Sequence, residues 1–182
     1  MSQRDLILRP LRYSDEHTFR AAVEAFADAD PDFGFAFGFD TPVIFSQYVD
    51  QVHAWSRGEC LPETFVPNSY LVGIVDDQVV GRISLRHRLN DYLLHFGGHI
   101  GYGVIPSHRK RGYASQMLQQ TLPIAQSLGI PRLLVTADEN NLASQRVIEK
   151  AGGLFESTVQ EPGALVRKKR YWIDVAQHSN RN

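Results

Sequence analysis

Three consecutive cations, Arg109, Lys110 and Arg111, stand directly before Gly112 in the stretch Gly98–Gln116 (GHIGYGVIPSHRKRGYASQ). Ahead of them His99–Val104 alternates as a short strand, with Ile100, Tyr102 and Val104 on one face and His99, Gly101 and Gly103 on the other. Pro106 cannot donate to a sheet ladder and stops that strand. A helical pattern begins at Ala114, which places the cations at a helix N-terminus. Unpaired backbone N–H groups and the positive end of the helix dipole attract anions there. Gly112 lets backbone approach a ligand where a side chain would block it, and the cations add charge. The chemistry predicted is phosphate binding at the carboxyl end of a strand. No Gly-Lys-Ser/Thr follows and the three glycines of a dinucleotide fingerprint are missing, so this is neither of those loops.

The rest of the chain must position that turn. At 182 residues it is long enough for one well-buried core, and no composition break marks a second domain. The formal net charge of −1 gives no global basic field of the kind that marks a nucleic-acid binder. A single cysteine, Cys60, excludes an internal disulfide and fits a reducing compartment. Residues 1–12 hold no apolar leader core and no apolar run reaches membrane-spanning length, so the expectation is a cytoplasmic protein without a membrane partner.

In chain order, Leu6 and Leu8 alternate in a first strand stopped near Pro10. Ser14 or Asp15 can cap a helix whose Phe19, Ala22, Val23 and Phe26 form a core-facing stripe. The segment Asp28–Asp40 (DADPDFGFAFGFD) has no periodicity. It reads either as a connector that tucks its phenylalanines under the core or as a substrate wall, in which Asp28, Asp30 and Asp32 would favour a positively charged acceptor. A second helix spans Ile44 to Ser56. Tyr70–Val75 and Val79–Leu85 form a hairpin around Asp76-Asp77-Gln78, and Leu89–Gly97 is a turn-rich link. After the phosphate turn, Met117, Leu118, Thr121, Leu122, Ala125 and Leu128 make a helix face, which Pro123 should kink or bring to its last full turn. Leu133–Thr136 is a buried strand. Asn140 or Asn141 caps a helix with Ala143, Val147 and Ala151 in line, closed by Gly152-Gly153. Leu154–Val159 and Leu165–Val175 complete the strands. The run Arg167–Arg170 suits a solvated edge or, as the lesser alternative, a place near phosphate, and 177–182 is expected to be a disordered tail to a domain over 1–176.

Arg109-Lys110-Arg111-Gly112-Tyr113-Ala114 resembles the acyl-CoA signature Arg/Gln-x-x-Gly-x-Gly/Ala of the GNAT superfamily of N-acetyltransferases, and the element order β-α-α-β-β-β-α-β-α-β-β resembles its fold. GGHIGY…RKRGYA and NNLAS…IEKAGG together look like a subgroup of predicted acetyltransferases. The resemblance implies a single mixed α/β (α+β) domain, a central sheet flanked by helices, that transfers acetyl from acetyl-CoA to a primary amine of a small molecule or peptide without a metal. It also implies cofactor contacts for Val104, Ile105, Arg109, Lys110, Arg111, Gly112, Tyr113, Ala114 and Asn141. Many relatives carry a glutamate base near the position of His99, whose imidazole has an ordinary pKa of about 6.5 and suits a base at neutral pH. Ile148 stands where many relatives have a tyrosine acid. Ser144, one turn earlier, is the nearest hydroxyl and either protonates the departing thiolate or supports the helix cap. Two other functions fit the same residues: a non-catalytic CoA-binding regulatory domain, and an adapter that offers the Phe-rich 33–39 loop to a protein partner. Monomer and homodimer both remain open.

Overall fold

Seven strands join in one mixed sheet in the computed structural model, which describes residues 5–27, 29, 34–39 and 43–176. In chain order the elements are β1 (Ile7–Pro10), α1 (Glu16–Ala27), α2 (Phe45–Ser56), β2 (Asn68–Val75), β3 (Gln78–Arg86), β4 (Ile100–Val104), α3 (Tyr113–Ser127), β5 (Arg132–Asp138), α4 (Leu142–Lys150), β6 (Leu154–Val159) and β7 (Lys168–Asp174). This is the expected order. The strands lie side by side as β1-β2-β3-β4-β5-β7-β6. Every neighbouring pair is antiparallel except β4 with β5. The β2–β3 hairpin turns through Asp76 and Asp77, both at positive φ (49° and 61°), the geometry that matches the twist of the strands it joins.

Each sheet face is covered by a pair of helices. Met117, Leu118, Leu122 and Ala125 of α3, with Ile148 of α4 and Ala151 just after it, pack over Ile100 and Val104. On the other face Phe19 and Phe26 of α1 and Tyr48, Val52 and Trp55 of α2 pack over Tyr70 and Val72. Phe35 and Phe39 join this second cluster, so the connector reading holds for the described part of that loop. Each such aromatic contributes about 1.5–3 kcal/mol by leaving water.

Three expectations are corrected. β7 lies between β5 and β6 and is not an edge. Its cations are tolerated because acids face them, with Lys168 on Asp138 at 3.0 Å and Arg170 on Glu156 at 2.8 Å. It also begins at Lys168, since Leu165 is fully exposed and packs on nothing that could hold a strand. On α4, Gln145 and Ile148 are buried, as is Ala151 just after it, whereas Ala143 and Val147 line a cleft. As expected, Pro123 opens the last full turn of α3, which ends at Ser127; the carbonyl deprived of its partner belongs to exposed Gln119, where water can serve. Within the link before β4 a single π-helical turn, Leu93–Gly97, interrupts what read as simple turns.

Arg82 of β3 ties the Phe-rich loop to the sheet. It is buried, donating Nε to Phe35 O at 3.0 Å, Nη1 to Gly101 O at 2.9 Å and Nη2 to Gly34 O. Burial draws its pKa down to about 10, which leaves it charged at neutral pH. Arg82→Leu strips those carbonyls of a donor, and urea unfolding should show a loss of at least about 2 kcal/mol. Wild-type stability in that variant would mean the loop is held by its aromatics alone.

Candidate active site

β4 and β5 run parallel but share one register pair among the described residues, Ile100 with Val135. The strands are drawn close just before it. Gly98, at φ 65°, sits where a Cβ would stand 2.6 Å from Leu134 O, so a side chain there would push the strands apart. His99 N–H donates to Leu134 O at 2.7 Å, and Leu134 N–H donates back to His99 Nδ1 at 2.9 Å. Beyond Ile100 the strands diverge. On the other side of β4, Arg86 N–H donates to His99 O and Ile105 N–H to Val80 O. Antiparallel alternation then assigns residues 99, 101, 103 and 105 to the β3 ladder and turns the backbone groups of Tyr102 and Val104 toward the opening. Arg109 Nε takes the Val104 carbonyl at 2.9 Å. The opening is a cleft of about 600 Å³.

The cation turn forms the near end of this cleft. After a short 3₁₀ turn, Pro106–His108, the chain passes through Lys110 at φ 61° and Gly112 at φ 80° into α3. Gln116 N–H on Gly112 O, at 3.1 Å, is the first bond of the helix, so the N–H groups of Tyr113, Ala114 and Ser115 have no intrahelical acceptor. Val104, Arg109, Lys110, Gly112, Tyr113, Ala114, Asn141 and Ser144 all line the cleft. Asn141 Oδ1 accepts Ser144 N–H at 3.0 Å and so caps α4. The structure does not bring Ile105, Arg111 or His99 to the lining. Ile105 gives its N–H to β3 and its side chain to the aromatic cluster, and Arg111 is exposed.

Across from the turn, Tyr102 Oη lies 2.8 Å from Ser144 Oγ and 3.3 Å from Ser144 O. Burial pushes the phenol's pKa up to about 12, so it keeps its proton through the neutral range. Two coupled hydroxyls therefore face the diverging strands, beside a helix N-terminus that can hold phosphate. This arrangement can bind a long phosphorylated thioester, polarise its carbonyl with strand N–H groups and supply a proton.

The Acetyltransferase (GNAT) domain family matches residues 5–153. The chain belongs to this GNAT acetyltransferase family. No curated protein sequence matches it. Its fold is that of several solved structures. RimJ of Mycobacterium smegmatis in complex with CoA-disulfide has a TM-score of 0.67 at 17% identity, over 95% of this chain and 87% of that one. A GNAT-family acetyltransferase from Streptococcus pneumoniae gives 0.66 at 17% identity, over 92% of this chain and 98% of that one. A spermidine N-acetyltransferase chimera from Vibrio cholerae and hSSAT gives 0.61 at 15% identity, over 99% and 100%.

In this GNAT chain the imidazole expected to act as base is engaged elsewhere. His99 is buried, its Nδ1 is an acceptor for β5, and its ring meets the edge of Trp172 at 6.5 Å. Burial first, and Arg86 second, hold its pKa down to about 4. Ile148, in place of the relatives' tyrosine, is wholly buried. Asp28, Asp30, Asp32, Asp40 and Phe33 lie outside the described residues. Sequence reasoning missed Tyr102 as a partner of Ser144, and Arg86, Tyr92, Phe96, Thr136, Asp138 and Lys168 as lining of the far end. Alternation alone could have flagged Tyr102, which shares a strand face with Val104; the cation run offered Lys168 a place near phosphate, and nothing local marked the others.

The His99 bond carries a pH signature. Its folded-state pKa lies below the ordinary 6.5, so only the unfolded chain takes up this proton as pH falls from about 6.5 toward 4. The stability it contributes is complete above that window and declines through it, by at most about 1.4 kcal/mol per pH unit. His99→Asn keeps an acceptor for Leu134 N–H but cannot titrate. Denaturation between pH 4 and 7 should show a flatter dependence in this variant; an unchanged slope would remove the imidazole from the account.

Proposed function

We propose that the protein transfers an acetyl group from acetyl-CoA to a primary amine held at the far end of the cleft. The observation that carries this reading is the loss of β4–β5 pairing beyond Ile100 and Val135, directly opposite a phosphate-binding turn in one continuous cleft. The residues present fit the cofactor. The free N–H groups of Tyr113, Ala114 and Ser115, with Lys110 beside them, suit a pyrophosphate, and the inward backbone groups of Tyr102 and Val104 suit an amide-bearing arm. RimJ, which shares the fold, holds a CoA derivative.

Acetyl-CoA supplies a thioester whose acyl carbon bonds to the amine nitrogen as its bond to sulfur breaks, one proton leaving the amine and one ending on the thiol. The chain's part is to bind, polarise and manage protons. Backbone N–H groups of the diverging strand stabilise charge on the acyl oxygen. Ser144 Oγ, backed by the protonated Tyr102 phenol, holds a proton beside the place where sulfur departs. His99 positions the strands and does not take the amine proton, which passes to water in the open cleft; Asp138 is the carboxylate there among the described lining residues.

Two measurements test this. Calorimetry should show CoA and acetyl-CoA binding, with Gly112→Val weakening both at least ~10-fold, because a branched residue strains at φ 80° and crowds the turn. Equal affinity in that variant would place the cofactor elsewhere. Ser144→Ala and Tyr102→Phe should each lower kcat by roughly 10-fold, less than the ~10²–10⁴ usual for an essential acid or base because a thiolate leaves well unaided. The double variant should lose no more than the worse single, since the two hydroxyls act as a unit. Additive losses, or none, would dissolve the pair.

A further inference from the structure

The far end of the cleft holds a guanidinium that acetyl-donor binding leaves unused. Arg86, the last residue of β3, uses both hydrogens of Nη1 on backbone carbonyls, Gly97 O at 3.2 Å and Gly98 O at 3.1 Å. Those two bonds fix the plane of the fork. Its Nη2 and Nε take no acceptor among the described residues, and no described carboxylate lies within ion-pair distance of it. A cation partly withdrawn from water without a counter-anion is unfavourable, and burial lowers the pKa of Arg86 accordingly. The remaining edge of the fork, Nη2 and Nε, has the spacing that receives the two oxygens of a carboxylate in parallel.

Its surroundings say what else the ligand carries. Nη2 lies 3.5 Å from where a Cβ of Gly101 would stand, so the fork rests against the bare strand face next to Tyr102. Gly101 is one residue, about 3.3 Å along an extended strand, from Tyr102, the first residue whose backbone groups face the opening, so an anion at Arg86 lies within the span of an α-amino acid of an amine there. The other charges at this end, Lys168 and Asp138, neutralise each other at 3.0 Å, which leaves Arg86 uncompensated. Phe96 of the π-helical turn and Tyr92 just before it, their rings 5.9 Å apart, form an aromatic wall, and Tyr92 Oη is pinned to Glu161 at 3.0 Å.

We propose that Arg86 binds the carboxylate of the acceptor, so that the amine acetylated is that of a free amino acid whose side chain lies toward Tyr92 and Phe96. This rests on the acetyl-transfer reading above and adds the acceptor's class to it.

Matched pairs of probes test it: L-phenylalanine and L-leucine against their carboxamides as acceptors, and the N-acetyl forms of both as ligands of the CoA-loaded protein. Thiol release should show kcat/KM at least ~10-fold higher for the carboxylates, and calorimetry should show the N-acetyl amino acids binding at least ~10-fold tighter than the N-acetyl amides. In Arg86→Gln both ratios should fall to about one, and in Arg86→Lys to an intermediate value, because a single ammonium cannot engage both oxygens. The wild-type ratios need no variant and stand even if a variant fails to fold. Carboxamides that match or exceed the carboxylates, a preference that survives Arg86→Gln, or no binding of either N-acetyl amino acid to CoA-loaded protein would overturn the assignment while leaving acetyl transfer intact. Failure of CoA itself to bind the wild type would overturn both.

Discussion

Everything functional in this molecule depends on two parallel strands that pair once and then part. A parallel ladder normally satisfies the backbone of both strands. Here β4 and β5 meet at Ile100 and Val135, after which Tyr102 and Val104 turn their polar groups into a cleft. Buried backbone groups require partners, so such a gap is unfavourable unless water or a ligand fills it. The fold sustains it through the ladder on the far side of β4, through Arg109 on the Val104 carbonyl, and through the tight junction at Gly98 and His99.

That junction explains the division of labour among the titratable groups. An imidazole that receives a backbone N–H through Nδ1 and is kept neutral by burial makes a good rivet and a poor base. The same face of the sheet carries two guanidiniums. Arg82 is spent on loop and strand carbonyls, whereas Arg86 keeps one edge of its fork without an acceptor among the described residues. On the opposite side, burial keeps the Tyr102 phenol protonated against Ser144. The Arg86 guanidinium and the paired hydroxyls are thus placed at different stations along one cleft.

What was legible in the sequence was what is local in it. The alternation of Val79–Leu85 and the stripe of Met117, Leu118 and Leu122 specify a strand and a helix whatever surrounds them, and the cation turn lies within a handful of residues of Gly112. What was hidden joins distant segments. Tyr102 and Ser144 are 42 residues apart, and His99 and Leu134 are 35 apart. The cation run of β7 read as an edge because its acidic partners, Asp138, Glu139 and Glu156, come from other stretches of the chain. Ala143 and Val147 of α4 line the cleft while Ile148 enters the core, so two sides of that helix carry apolar residues. Periodicity cannot tell those apart.

Residue-resolved amide hydrogen exchange, with and without acetyl-CoA, reads the central constraint directly. In the free protein the amides of Gly101, Gly103 and Ile105, bonded to β3, should be protected, while those of Tyr102 and Val104 exchange faster. On adding acetyl-CoA, Tyr102 and Val104 should become protected together with Tyr113, Ala114 and Ser115. Uniform protection along β4 before the cofactor is added, or no change at Tyr102 and Val104 after it, would contradict the account.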